Sequence, residues 1–250
     1  MTSFLRQLFR DKSSAIMLLT SSLIINICAL APALFVIIVL NKYLASGVTA
    51  TVISLAMGAM MLLEFEIGFR QNRGAMMTTH NQRVYDPLLK AFGEKFSKAG
   101  QLTAQQYKKL DGAGTTIKNM RTSATTGWIL DWPFVLAFLI VLLYINWTAA
   151  IIAAIFMIIM IVLTAQRINL SLQIDSTTNL EIFLTGLMTV VIMSVGATQI
   201  IAGSLDVGLL IGSNILAARA LQGANKYAKA KEAIKQRDRA TTEIISFIKQ

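Results

Sequence analysis

Six stretches of this chain are each long and apolar enough to cross a lipid bilayer, and no other feature constrains the fold so strongly. A crossing helix needs about 20 mostly apolar residues, because roughly 30 Å of hydrocarbon is covered at 1.5 Å per residue and no backbone polar group can go unpaired there. The stretches are about Ser14–Leu40, Val48–Phe69, Trp128–Tyr144, Thr148–Thr164, Ile182–Ile201 and Val207–Leu221. Only Ile145-Asn146-Trp147 separates the third from the fourth, and Ala202-Gly203-Ser204-Leu205-Asp206 hinges the last two. Charged residues are 14% of the chain and hydrophobic ones 55%, against about 25% charged in an ordinary soluble domain. A disordered chain is excluded and a soluble globular one disfavoured. The expectation is an all-α polytopic membrane protein with six transmembrane helices.

Charge placement tests this count independently. Short cytoplasmic segments of membrane proteins collect Lys and Arg, and external loops do not. All of the 23 basic residues except Lys42 fall before the first span, between the second and third, at Arg167, or at and after the end of the sixth. That face is read as cytoplasmic, with both termini on it. No cleavable signal peptide is expected, since the first apolar run is too long for a signal sequence. Topology thus accounts for the net charge of +10. The same basic segments suit anionic lipids at about 1 kcal/mol per residue. No folded basic domain with groove-reading or stacking residues is visible, so no nucleic-acid partner is expected.

One Cys and one His exclude a disulfide framework and a Cys/His metal cluster. The chain holds no Gly-x-x-x-x-Gly-Lys-Ser/Thr phosphate loop and no His-Glu-x-x-His helix, so neither catalysis nor a cofactor is expected. His80 reads as a surface or packing residue, and Cys28 as a small packing residue.

Residues 1–224 read as the six-helix domain, and 70–126 within it as a cytoplasmic helical hairpin. Asp86-Pro87 reads as a helix restart followed by Leu88, Leu89, Phe92 and Phe96 at helical spacing. A break near Gly100 precedes a capped helix at Thr103-Ala104-Gln105-Gln106, and Asp111-Gly112-Ala113-Gly114 reads as a turn. A helix of about 25 residues beyond the second span would reach nearly 40 Å. Residues 225–250 read as a basic helical tail, with Tyr227, Ile234, Ile244, Ile245 and Ile248 as contact points. Two readings stand: a solvated helix near headgroups, or a docking helix. The candidate docking residues are Lys108, Lys109, Lys235, Arg237 and Arg239.

Charged residues at or inside spans are few and informative, because one at the bilayer centre costs roughly 2.5–3.5 kcal/mol. Glu64 and Glu66 lie near the cytoplasmic end of the second span, and Glu66 precedes Arg70 by four residues, the favourable order for a helix pair. With Arg73 they form either structural ion pairs at the membrane boundary or a proton-coupled carboxylate site. Asp131 before Pro133 reads as a helix-start acid facing the interface. Asn26 can hydrogen-bond across helices, and Gly58, Gly186, Gly196, Gly208 and Gly212 permit close helix approach.

Three stretches together resemble the transmembrane domain of type I secretion ABC exporters, the haemolysin and protease exporter type. The first is Ala29-Leu30-Ala31 with Pro32, Phe35-Val36 and Val39. The second is Phe65-Glu66 with Arg70, Arg73 and Gly74, joined by Asp131-Trp132-Pro133-Phe134. The third is Val195-Gly196-Ala197, Gly203, Gly208 to Ile211, and Asn214-Ile215-Leu216 with Arg219-Ala220-Leu221. The resemblance implies a bacterial inner-membrane exporter subunit that works as a homo- or hetero-oligomer, with Asp131, Pro133, Asn214 and Arg219 as motif residues. Family members continue into an ATP-binding domain and carry a second long hairpin between the fourth and fifth spans. Here the sequence stops at Gln250, and Gln166 to Glu181 is too short for that hairpin.

The expectation is therefore an ATPase-less subunit of a protein-export or envelope complex, powered by a separate ABC ATPase with a periplasmic adaptor. A non-transporting scaffold is the second expectation. Ion- or proton-driven transport through Glu64 and Glu66 is the third.

Overall fold

The computed structural model describes residues 12–43, 49–98, 103–169 and 174–249. Among these every element is helical. The helices are α1 (Lys12–Cys28), α2 (Ala31–Ile38), α3 (Thr49–Lys98), α4 (Ala104–Thr122), α5 (Trp132–Ile145), α6 (Trp147–Asn169), α7 (Ile174–Ile201) and α8 (Val207–Lys249). A π-helical turn, Val39–Tyr43, continues α2, and a 3-10 turn, Thr125–Asp131, leads into α5. Among the described residues, six helical segments are long and apolar enough to cross a membrane, in the order the sequence indicates.

The chain divides into two compact units. The apolar unit comprises Leu19–Arg70 and Leu130–Ala228. Pro32 sets the division of the first span into α1 and α2: it has no amide hydrogen to give the carbonyl of Cys28, so α1 stops there and Pro32 opens α2. Helix α5 packs on α6, and α6 on α7. Their common core is built from Phe138, Leu142, Met157, Met160, Met188, Ile192, Leu216 and Leu221, with Ala149, Ala153, Ala217 and Ala220 letting the backbones approach. Asn146 caps α6, its Oδ1 accepting from Ala149 N at 3.2 Å.

The turn between α7 and α8 is set by Gly203 at φ 71°, a conformation that costs glycine nothing. Gly203 N donates to Ile200 O at 2.9 Å and Ser204 N to Gln199 O at 3.0 Å, the paired bonds of a Schellman motif. Gly208 and Gly212 lie one turn apart on the face of α8 that meets the first span. A Cβ on Gly208 would sit 3.1 Å from Ile37 O, and one on Gly212 would sit 2.3 Å from Ile37 Cγ1 and 3.2 Å from Ala33 O. Among the described residues, Gly58 and Gly186 have nothing within 4 Å of such a Cβ, so close approach there does not explain them.

The polar unit takes in the chain through Leu18, Gln71–Ile129 and the stretch from Lys229. Its core joins Tyr85, Phe92, Leu110, Ala113 and Ile117 of the hairpin to Ala240 and Ile244 of α8. Phe92, Phe96 and Phe247 form an aromatic cluster with centroids 5.1–6.3 Å apart, and Phe96 also meets Tyr107 at 5.2 Å. Lys95 Nζ donates to Ile248 O at 2.9 Å. Asn81, buried, donates to Met120 O and Ser123 O, satisfying carbonyls at the end of α4.

Two expectations are corrected. The helix does not restart at Asp86-Pro87: α3 runs through Pro87. Buried Tyr85 and Phe92 hold it on either side, and Asp86 pairs with Arg121 at 2.5 Å. Asp111 to Gly114 is not a turn but part of α4, and Gly114 is required there because a Cβ would sit 2.8 Å from the Phe92 ring. The first apolar helical segment runs Ala15–Lys42, close to the Ser14–Leu40 read from the sequence. The cap at Thr103 forms as expected, with Gln106 completing a capping box. The break near Gly100 lies outside the described residues.

Candidate functional site

The charged residues singled out in the second and sixth spans meet at one end of the apolar unit. Glu66 is 5% exposed. Its Oε1 accepts from Arg70 Nε at 2.9 Å and Nη2 at 2.6 Å, one helical turn away, and from Arg219 Nη1 of α8 at 3.3 Å. The arginine side chains are 31% and 28% exposed. The other carboxylate oxygen, Oε2, is buried with no hydrogen-bond partner among the described residues. Two guanidinium groups thus share one carboxylate oxygen, and the cluster carries a net charge of +1.

Asp131 occupies the N-cap of α5 but does not cap it. Its side chain is turned inward, 7% exposed, and its Oδ1 accepts from Asn26 Nδ2 of α1 at 3.3 Å. The sequence placed this acid at the interface; burial beside Asn26 is the structural outcome. Pro133 sits in the first turn of α5, where its missing amide costs nothing. Asn214, half-buried on α8, keeps Oδ1 shielded and without a hydrogen bond among the described residues. Glu64 is exposed, on the face of α3 away from Glu66. Arg73 is buried and belongs to the polar unit.

The expected docking residues separate. Lys108 and Arg239 are exposed. Lys109 pairs with Glu243 of α8 at 3.3 Å, and Lys235 is exposed with Glu232 at 4.0 Å. Arg237 is 4% exposed and bonds Asp238, so it cannot serve as a docking residue. It lies on the buried face with Ile234 and Ile244 at helical spacing, a signal the sequence held. Of the proposed contact points, Ile234 and Ile244 are buried, Ile248 packs on the core, Ile245 is exposed, and Tyr227 stacks on Trp132 at 4.4 Å.

A further pair involves residues the sequence reading did not single out together. Asn225 is fully buried and its Nδ2 donates to Glu181 Oε2 of α7. The partners are 44 residues apart, so no local spacing could have joined them.

The arrangement has the chemistry of a tie between helices: paired charges, buried amides and no cluster of His, Cys, Asp and Glu able to hold a metal among the described residues. A groove of about 480 Å³ between α2 and α3 is lined by Leu34, Phe35, Ile38, Gly58, Met61 and Phe65, and suits apolar chains rather than a polar solute. No known protein family matches the chain, and no curated protein does.

Proposed function

We propose that the chain is a permease-type membrane subunit resembling the transmembrane part of type I secretion exporters, paired with a second copy or a full-length relative in a protein-export or envelope complex of a bacterial inner membrane. One observation carries the reading: stretches that resemble the family separately are joined in space. Glu66 of the second stretch bonds Arg219 of the third, and Gly208 and Gly212 of the third seat against Ala33 and Ile37, within the first. Shared contacts of this kind are expected if the stretches persist together for one architecture. The apolar part of α3 supports a partner subunit, because only 6% of its most apolar window is buried, against 50% in α8.

These 250 residues hold no phosphate loop, so an ATP-driven cycle draws on an ATP-binding domain outside them. In the leading version a separate ABC ATPase and a periplasmic adaptor supply the drive and the exit path. Co-purification from membranes, combined with deletion, tests it. An ATPase and adaptor in the complex and loss of one exported protein on deletion are the expected results. Tight ATP binding by the purified chain alone would sink the reading.

A non-transporting scaffold is the second reading, favoured by the short link from Gln166 to Glu181 and by exposed Lys108 and Arg239. Unchanged secretion on deletion, with unrelated cytoplasmic or envelope proteins bound, would select it. Ion- or proton-driven transport ranks third, and normal function of a Glu64→Gln, Glu66→Gln double variant would eliminate it.

A further inference from the structure

We propose that Arg70 and Arg219 together hold the phosphate of one anionic phospholipid at the basic end of the apolar unit. The inference is independent of the exporter reading.

The argument begins with the guanidinium donors. Arginine carries five N–H groups. Arg70 gives Glu66 its Nε and one Nη2 hydrogen, and Arg219 gives one Nη1 hydrogen. Neither has another protein partner among the described residues. The remaining N–H groups sit on side chains about 30% exposed, so they reach the surface of the unit.

Depth decides what they meet there. Arg70 is 21 residues beyond Thr49 in one unbroken helix, about 30 Å along its axis, which is the thickness of the hydrocarbon core. A span that begins near Thr49 thus delivers Arg70 to the level of the phospholipid phosphates.

Charge decides the ligand. Glu66 neutralises only one of the two arginines. Glu64 cannot neutralise the other, because two residues of helix turn it about 200° away from Glu66. A residual positive charge beside hydrocarbon is costly, and a phosphate diester is the counter-charge a bilayer supplies at that depth. Two guanidinium groups held by one carboxylate oxygen are also pre-oriented for it, since each can offer paired N–H groups to phosphate oxygens. Free inorganic phosphate shares this chemistry. The lipid is favoured because its acyl chains have apolar helix surface to lie on, and exposed Ile67 follows Glu66 directly.

The test uses the full chain, delipidated in detergent and offered phosphatidylglycerol or phosphatidylcholine, with retained lipid read by mass spectrometry. Phosphatidylglycerol should be retained about tenfold better, one favourable charge-assisted contact being worth about that factor. The double variant Arg70→Gln, Arg219→Gln should lose the preference, and Arg239→Gln, on the polar unit, should keep it. Glu66→Gln removes the internal counter-charge and should raise retention. It also decides the matter if the double variant does not fold, because a merely structural cluster would lose lipid or show no change. Equal retention of the two lipids, an Arg239→Gln loss equal to that of the double variant, or an unchanged or lowered value for Glu66→Gln would each overturn the proposal. Displacement of phosphatidylglycerol by equimolar inorganic phosphate would overturn the lipid as ligand.

Discussion

Glu66 on the second span and Arg219 on the sixth lie 3.3 Å apart although 153 residues separate them in sequence. The carboxylate is 6% exposed and the guanidinium 28%, so the pair sits between the surface case, worth up to about 1 kcal/mol, and the buried case, where removing one partner costs about 3–5 kcal/mol. Arg219→Gln is expected to destabilise the protein by about 1–3 kcal/mol, with Arg70 left to hold Glu66. Thermal unfolding in detergent measures it. A double-mutant cycle with Glu66→Gln should show coupling of about 1 kcal/mol; strictly additive effects would mean that the contact does not tie the helices.

Gly212 predicts a sharper steric effect. A methyl group there would sit 2.3 Å from Ile37 Cγ1 and 3.2 Å from a backbone oxygen of Ala33, so side-chain repacking alone cannot make room. Gly212→Ala should cost about 1–3 kcal/mol, the usual range for overpacking. Gly186→Ala meets nothing within 4 Å and should be neutral or stabilising by up to about 1 kcal/mol, because alanine is the better helix former. Folded yield and unfolding temperature of the two variants distinguish the cases, and equal losses would refute the packing argument.

The helices able to span a membrane were legible because apolar length is a one-dimensional property: among the described residues all six emerge in order. The Glu66–Arg70 pair was legible for the same reason, as a spacing on one helix. What the sequence misread were places where tertiary packing overrides local grammar. Asp86-Pro87 carries a helix-start signal, yet Asp86 engages Arg121 of the neighbouring helix and α3 continues through the proline. Gly112 and Gly114 look like a turn, yet Gly114 is small because a phenylalanine ring lies against it. Arg237 reads with the exposed charges because its run is basic, although its phase relative to Ile234 and Ile244 places it inside. The Asn26–Asp131 and Asn225–Glu181 contacts join distant helices, and no spacing rule reaches them.

The polar unit depends on α8 staying on the hairpin. Ile244 is fully buried in its core, whereas Ile245, the next residue, is 40% exposed. Ile244→Ala should cost about 2–5 kcal/mol of the local packing, and Ile245→Ala less than about 1 kcal/mol. Hydrogen exchange in α4 and in the last turns of α8 should accelerate together in the first variant and in neither helix in the second. Acceleration confined to α8 would show that the hairpin is stable without it.

Tyr85 gives the polar unit a signature at high pH. Burial raises its phenol above the ordinary value near 10.0, and the Arg237 guanidinium beside it opposes that rise through its charge and a hydrogen bond. Burial is the larger effect, so the folded protein keeps the phenol protonated where the unfolded chain has begun to ionise. Below about pH 10 both states are protonated and the residue adds no pH dependence. Above it the unfolded state gains charge first, and the stability contributed by Tyr85 falls as pH rises until the folded phenol ionises too. Tyr85→Phe removes this loss, so the difference in stability between variant and parent should grow with pH above about 10 in favour of the variant. Phenolate absorbance of the folded parent should show one tyrosine titrating later than the exposed ones. Parallel stability curves for the two proteins through that range would show that Tyr85 ionises as freely in the folded state as in the unfolded chain.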